Sequence, residues 1–174
     1  MTPLRRLLAV AAAWAVAQPL AGCGWEPLYA SKETAAGAER LREIKVNPIS
    51  ERVGQELETG LRNSFNPSGE PAQQNYTLII TLSKSLVDSG IQSQGLGTRG
   101  ELHIYADYKL VQNKTNKLLQ QGHIHSNDSF DIQANGYSTV VAQNDAGSRD
   151  IEEIRREIVA RMILYMQGKD PTTS

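Results

Sequence analysis

Residues 101–126, ELHIYADYKLVQNKTNKLLQQGHIHS, decide the fold because two alternating segments are joined there by a short polar turn. Every second residue is apolar along 102–110, and a similar alternation returns along 118–126. The polar residues 112–116 between them are typical of a hairpin turn. An earlier segment, 76–83, alternates in the same way. Three strands, each with one apolar and one polar face, predict an antiparallel sheet that is covered on one side.

Two amphipathic segments flank these strands and predict helices. The first covers residues 50–64, with Ser50 as the expected N-cap and apolar residues at every fourth position. The second has an apolar stripe over 151–165. It begins either at Asp150, where acidic residues favour a helix start, or near Ser138 with a break at Gly147.

A short apolar segment at 44–46 completes the order of elements: strand, helix, three strands, helix. We predict an α+β fold in which two helices pack on one face of a four-stranded mixed, mostly antiparallel sheet, giving two layers. The first strand is joined to the others through a helix, so it can pair in parallel with a neighbour.

The N-terminus has the three parts of a bacterial export signal. Two arginines give a positive start, residues 7–16 are apolar, and small residues precede Cys23. The apolar run is too short to span a membrane as a helix. Residues 20–23, LAGC, resemble the lipobox of bacterial lipoproteins. The resemblance implies cleavage between Gly22 and Cys23, and it implies that Cys23 carries an S-diacylglycerol group and an N-acyl chain such as palmitate.

The chain is therefore expected to have four parts. Residues 1–22 form the signal peptide, 23–40 the lipidated N-terminus and tether, 41–168 a single α+β domain, and 169–174 a disordered tail. Cys23 is the only cysteine, so lipidation leaves none for a disulfide and the domain must be held by its core. The net charge of −1 gives no indication of nucleic-acid binding.

A long uncharged stretch lies between the first two of the three alternating strands. Residues 88–100, DSGIQSQGLGTRG, are polar and rich in glycine. The simplest interpretation is a flexible hairpin loop, and the alternative is a segment that docks into a partner, because long loops in small domains are often functional. The candidate partner-binding residues are Ser89, Ile91, Gln94, Leu96 and Thr98.

Three histidines lie in the predicted hairpin and raise the question of a metal. If Leu110 pairs with Leu118, His103 lies opposite His125, with His123 two residues away. No free cysteine or fixed carboxylate completes such a site, so we expect a solvated sheet face and no metal. No sequence motif of a nucleophilic or phosphate-binding enzyme is present either. We therefore expect neither a catalytic site nor a cofactor beyond the lipid on Cys23, and a metal-dependent enzyme is the least favoured interpretation.

Three stretches resemble the lipopolysaccharide (LPS)-assembly lipoprotein family LptE. Residues 23–29, CGWEPLY, are similar to the opening CG-x-x-P-L-Y of that family. Residues 52–57, RVGQEL, are similar to its R-x-G-Q-x-L, and residues 137–146, YSTVVAQNDA, to its Y-x-x-x-x-A-x-x-D-A. The order of the predicted elements is similar as well, so the likeness extends over nearly all of the mature chain.

This resemblance implies a function in the outer membrane. Members of the family lie at its periplasmic face, plug the lumen of the large β-barrel LptD, help that barrel assemble and bind LPS on its way to the cell surface. An aspartate after the lipidated cysteine often retains lipoproteins in the inner membrane, and Gly24 stands here instead. Lys84 and Arg99 are candidates for LPS contact from their placement alone, since basic side chains can bind an acidic glycolipid, although scattered surface charge explains them too.

The alternative function is an accessory or carrier lipoprotein of another envelope lipid-transport system. A carrier should have an apolar groove for acyl chains. The predicted faces are ordinary amphipathic ones with no surplus apolar surface, which disfavours this alternative.

Overall fold

Four strands form a single sheet in the order β1-β2-β3-β4. The strands are β1 (Ile44–Val46), β2 (Tyr76–Ile91), β3 (Gly97–Gln112) and β4 (Lys117–Asp131). The computed structural model describes residues 37, 39–69, 73–91 and 97–168, with only the backbone described at 88–91, 97 and 98. β1 pairs with β2 in parallel, and the other two pairings are antiparallel. The predicted mixed, mostly antiparallel sheet is confirmed.

Two helices cover one face of this sheet, α1 (Arg52–Phe65) and α2 (Gly136–Met166). Leu57 and Leu61 of α1 and Ile154 of α2 are fully buried. They meet the even-numbered side chains of β3, from Leu102 to Leu110, every one of which is buried. The predicted two-layer α+β fold is therefore confirmed, including the apolar face of β3. Neither helix in the described part of the chain is long and apolar enough to cross a membrane.

The predicted boundaries at the two ends concern residues that mostly lie outside the described part. The signal peptide, the Gly22–Cys23 cleavage site, the first part of the tether and the tail 169–174 are all in this position. Every described residue belongs to one compact unit, Ser31–Ser174. At its start, residues 39–41 are helical, and Gly37 lies beside Gln167 after the end of α2.

The start of α1 differs from the prediction, because Ser50 does not cap it. The helix begins at Arg52, and its N-cap residue Glu51 has a φ of 68° and no side-chain capping hydrogen bond. This left-handed backbone conformation places a turn between Ser50 and the helix, so the serine hydroxyl is not in the N-cap position. The first helical hydrogen bond is instead the backbone bond from Gln55 N–H to the Glu51 carbonyl, at 3.0 Å.

Helix α2 takes the longer of the two predicted forms, and without a break. It begins at Gly136, where the Asn135 side chain accepts a hydrogen bond from Tyr137 N–H at 3.0 Å. Gly147 is buried inside the helix, between Leu102 of the sheet and Val53 of α1. Packing on both sides holds this glycine in the helix, so its low helix propensity is overridden.

A β-bulge between β3 and β4 overturns the predicted pairing of Leu110 with Leu118. Leu110 pairs with Gln120 and Val111 pairs with Leu118, which leaves Leu119 as the extra residue. A one-residue slip turns side chains to the opposite face. Leu118, expected to be buried, is therefore 46% exposed, and Gln120 is buried with no hydrogen-bond partner for its Oε1 atom.

The loop predicted at 88–100 is largely strand. β2 continues to Ile91 and β3 starts at Gly97, with Ser89 paired to Arg99 and Ile91 paired to Gly97. Backbone pairing continues through this stretch although its sequence has lost the alternation that identified the strands. The two strands therefore form a hairpin far longer than predicted.

The helices differ greatly in length, and this leaves part of the sheet uncovered. β2, with 16 residues, is about 50 Å long. α2 has 31 residues and is about 46 Å long, whereas the 14 residues of α1 span only about 21 Å. α1 begins level with Lys84, whose Nζ atom lies 2.6 Å from Glu51 Oε2. Beyond that level β2 has no helix above it, and Leu86 is 49% exposed.

Gly54 provides a test of how closely α1 packs against the chain before it. A Cβ atom at this position would lie 2.6 Å from Ile49 Cγ2 and 3.3 Å from the Ile49 carbonyl carbon. We expect Gly54→Ala to lower the free energy of unfolding by about 1–3 kcal/mol, because the backbone must move to relieve the overlap. The measurement is urea denaturation followed by circular dichroism.

Gly136→Ala is the matched control, since nothing lies within 4 Å of the Cβ position there. It should be neutral or stabilise the protein by about 0.4–1 kcal/mol. Equal effects of the two substitutions would contradict the close approach of α1 to Ile49.

Candidate functional site

The residues predicted to bind a partner are in the long β2–β3 hairpin. The structure places Ser89 and Ile91 on β2 and Thr98 on β3. Gln94 and Leu96 lie outside the described residues. The hairpin is at the opposite end of the sheet from the start of β1 and from the β3–β4 turn, because β1 pairs with the first residues of β2.

The two candidate LPS-binding residues are on opposite faces of the sheet. Lys84 is in phase with the buried Leu78 and Ile80, so it lies on the helix-covered face, where it pairs with Glu51. Arg99 is out of phase with the buried Leu102 and is exposed on the open face. The structure therefore does not bring Lys84 and Arg99 together into one site.

The three histidines form a row on the open face of β3 and β4 together with Tyr105. His103 Nδ1 and His125 Nε2 are 3.2 Å apart, and their rings stack at a centroid distance of 5.5 Å. Tyr105 stacks on His125 at 4.6 Å and on His123 at 5.8 Å. His123 Nδ1 lies 3.0 Å from Asp107 Oδ1. The predicted closeness of His103 and His125 is found, but as a diagonal pair, because Tyr105 is opposite His125.

The geometry of this row suits cross-strand packing. Each ring face is turned toward another ring, so the neighbouring strands are joined by contacts that are worth about 0.2–1 kcal/mol for each pair. In the part of the chain that the structure describes, no three His, Cys, Asp or Glu side chains are arranged to hold a metal ion.

Sequence reasoning missed a buried acidic cluster between β4 and α2. Asp150 is 1% exposed, and Ser126 Oγ lies 2.7 Å from its Oδ1 atom and 3.0 Å from Glu153 Oε2. The other oxygen of Asp150, Oδ2, is buried without a hydrogen-bond partner. Asp150 was expected at a helix start and instead lies in the middle of α2. The signal was its spacing, four residues before Ile154 on the apolar stripe.

The cluster needs one carboxyl proton. The Ser126 hydroxyl has a single hydrogen and cannot donate to both carboxylates. If Asp150 is protonated, it donates to Ser126 Oγ, and Ser126 donates to Glu153. Burial raises the pKa of Asp150, which favours this protonated form. The hydrogen bond from Arg149 lowers the pKa of the adjacent Asp128, so that carboxylate stays charged.

Comparison with known families decides the relationship of the chain. The model of the lipopolysaccharide-assembly family LptE matches residues 41–166, which contain all four strands and both helices. The chain belongs to the LptE family. This confirms the resemblance seen in the sequence and links the protein to LPS assembly at the level of the family.

Solved structures share the LptE fold of this chain. A candidate lipoprotein of Caulobacter crescentus CB15 is 21% identical, with a TM-score of 0.63, and the match covers 78% of this chain and 99% of that one. Rare lipoprotein B of Shewanella oneidensis is 12% identical, with a TM-score of 0.50, and covers 72% and 93% respectively. No curated protein matches the chain.

The LptE motif residues are mostly structural in this chain. In the motif at 52–57, Gly54 allows the close contact with Ile49, and Leu57 is fully buried. In the motif at 137–146, Ala146 is fully buried. Tyr137 is the exception, because it opens α2 and is 77% exposed. Core packing therefore does not explain the presence of Tyr137.

The acidic cluster predicts an unusual pH dependence of stability. A carboxyl whose pKa is raised by folding stabilises the protein fully below the pKa of the unfolded chain, and this contribution is lost as pH rises through the folded pKa. We expect Asp150→Asn to lack this loss. The variant should be more stable than wild type at neutral pH, on the order of 1 kcal/mol, and nearly equal to it at about pH 4.

Urea unfolding at a series of pH values measures this difference. Asp131→Asn is the control, since Asp131 is exposed at the end of β4. If Asp150→Asn shows the same pH dependence as wild type and the control, Asp150 does not titrate with folding and the proton-sharing arrangement is wrong.

Proposed function

We propose that this protein is an outer-membrane lipoprotein that plugs and helps assemble an LptD-type β-barrel, and thereby aids delivery of LPS to the cell surface. The observation that carries the proposal is the LptE family match over the complete described sheet and both helices. The role is non-catalytic: the domain supplies a shaped surface to the barrel and contacts LPS as it passes.

The surface of the domain supports a plug. The lumen of an outer-membrane barrel is polar, so a plug needs polar faces that can hydrogen-bond. The open sheet face supplies them with histidine, tyrosine, asparagine and glutamine side chains, among them His123 and Asn127. Arg149 and Arg161 contact the β4 region from α2, through Asp128 and the His123 carbonyl, and they cover parts of this free edge.

A carrier of acyl chains is less well supported. A cavity of about 480 Å³ lies between α1 and α2, but polar and charged side chains dominate its lining, including Glu56, Asn63, Glu152 and Arg155. Another, of about 460 Å³ beside Asp150, has six charged residues in its lining. Sites for apolar ligands are lined mainly by apolar side chains, so these cavities do not suit acyl chains.

The test of the proposed function is affinity purification of the tagged full-length protein from detergent-extracted outer membranes, followed by mass spectrometry. We expect one large β-barrel in about equal amount, retained through washing, because a plug is enclosed by its barrel. In cells lacking the protein, the barrel should fail to mature. Normal barrel maturation, or recovery of inner-membrane transport subunits instead, would contradict the proposal and favour the carrier.

Lipidation at Cys23 has its own test. We expect Cys23→Ala to abolish labelling by radioactive palmitate and to release the protein from the outer-membrane fraction, since acyl chains provide the anchor. Trp25→Ala is the control and should leave labelling intact. A Cys23→Ala protein that still takes up the label would show that the lipidation site has been assigned wrongly.

A further inference from the structure

Five of the seven large apolar side chains that are exposed in the described part of the chain lie at the hairpin end of the domain. They are Leu86, Val87, Tyr137, Val140 and Val141. Four of them, Leu86, Tyr137, Val140 and Val141, belong to the helix-bearing side of the sheet, and we call these four the end patch. Their exposed fractions range from 49% to 77%, which is high for side chains of this kind.

The end patch is exposed because α1 is short. On α2, the side chains that contact α1 recur with the helical period: Asn144 accepts from Arg52, Ser148 contacts Glu56, and Arg155 reaches Ser64. Continued toward the N-terminus, the same stripe passes through Val140, Val141 and Tyr137. The stripe continues while α1 does not, since α1 begins at Arg52.

The result is a concave step with an apolar lining. Leu86 on β2 forms its floor, the end-patch residues of α2 form one wall, and the first turn of α1 closes one end. A further turn or two of helix in the position of α1 would cover the same side chains. The step therefore has the shape left when one packing element is missing.

The surroundings of the step are free of charge. Residues 89–98 and 132–144 contain no Asp, Glu, Lys or Arg, although such residues make up 21% of the chain. Ordinary solvated surface is charged, whereas surface that becomes buried avoids charge because the desolvation of an ion is costly. Gln, Asn, Ser and Thr are frequent in both segments, and they can hydrogen-bond to another protein.

We propose that the end patch is a docking surface for an uncharged segment of a partner protein, which packs in the place that a longer α1 would fill. Under the proposed function, on which this inference rests, the segment belongs to the barrel. A flat bilayer cannot fill a concave step, and this surface offers no unpaired cation to a lipid headgroup, since Lys84 is bound to Glu51.

The protein's own tether is too short to occupy the step. Gly37 lies beside Gln167, just past the far end of α2. α2 is about 46 Å long, whereas the nine residues back to Leu28 extend at most about 30 Å. Trp25 is about 40 Å away along a fully extended chain. The apolar residues of the tether therefore cannot reach the end patch.

The test is the double variant Val140→Glu, Val141→Glu of the full-length protein, purified with its barrel as above. Charge in the step should reduce the recovered barrel at least tenfold. The neutral pair Val140→Gln, Val141→Gln should reduce it less. Glutamates near a helix N-terminus are well tolerated, so the variant should fold. Circular dichroism and a melting curve like that of wild type would verify this.

Leu118→Glu is the matched control, because Leu118 is 46% exposed but lies on β4 beside the opposite end of the sheet. It should leave recovery of the barrel unchanged. If wild type recovers a barrel and the double glutamate variant recovers as much, the docking surface is wrong while the proposed function stands. If wild type recovers no barrel, the proposed function itself fails.

Two further measurements separate the other possible occupants. Flotation with phosphatidylcholine vesicles, with and without LPS, should give the same weak binding for wild type and the double variant. Gel filtration should give the same mass for both. A loss of vesicle binding, or a loss of dimer, that is confined to the double variant would overturn the assignment to a partner protein.

Discussion

The mismatch in length between the two helices governs this structure. A sheet about 50 Å long and a helix about 46 Å long are partnered by a second helix of only about 21 Å. The β1 end of the sheet is covered by both helices and holds a dense core in which Leu57, Leu61 and Ile154 are fully buried. The hairpin end has one helix and an exposed step. Stability and exposed apolar surface are therefore concentrated at opposite ends of the domain.

Much of the fold could be predicted because alternation reports directly on burial. Every inward position of β3 was identified from the sequence, and so was the parallel pairing of β1. The register of β4 could not be predicted, because the bulge at Leu119 depends on how the 113–116 turn closes, and no single residue marks it. The extent of the hairpin was missed since residues near Gly90 carry no alternation, although their backbone still pairs.

The site was predicted less well than the fold, for a related reason. His103 and His125 were expected to be close, and they are, because the true register differs from the predicted one by two residues and so keeps the same face. Lys84 and Arg99 were chosen for their charge, and only the structure shows that the sheet separates them. Asp150 could have been found, since a carboxylate on the apolar stripe of a helix must be buried.

The central claim is that this LptE family member enters a barrel partner with its hairpin end. Site-specific photo-crosslinking in living cells tests this claim most directly. A benzophenone side chain is placed at Val140 or at Leu118, and the captured protein is identified by mass spectrometry. We expect strong crosslinks from position 140 to one large β-barrel and much weaker ones from position 118. Crosslinks to the barrel from position 118 alone, or none from either position, would contradict the account.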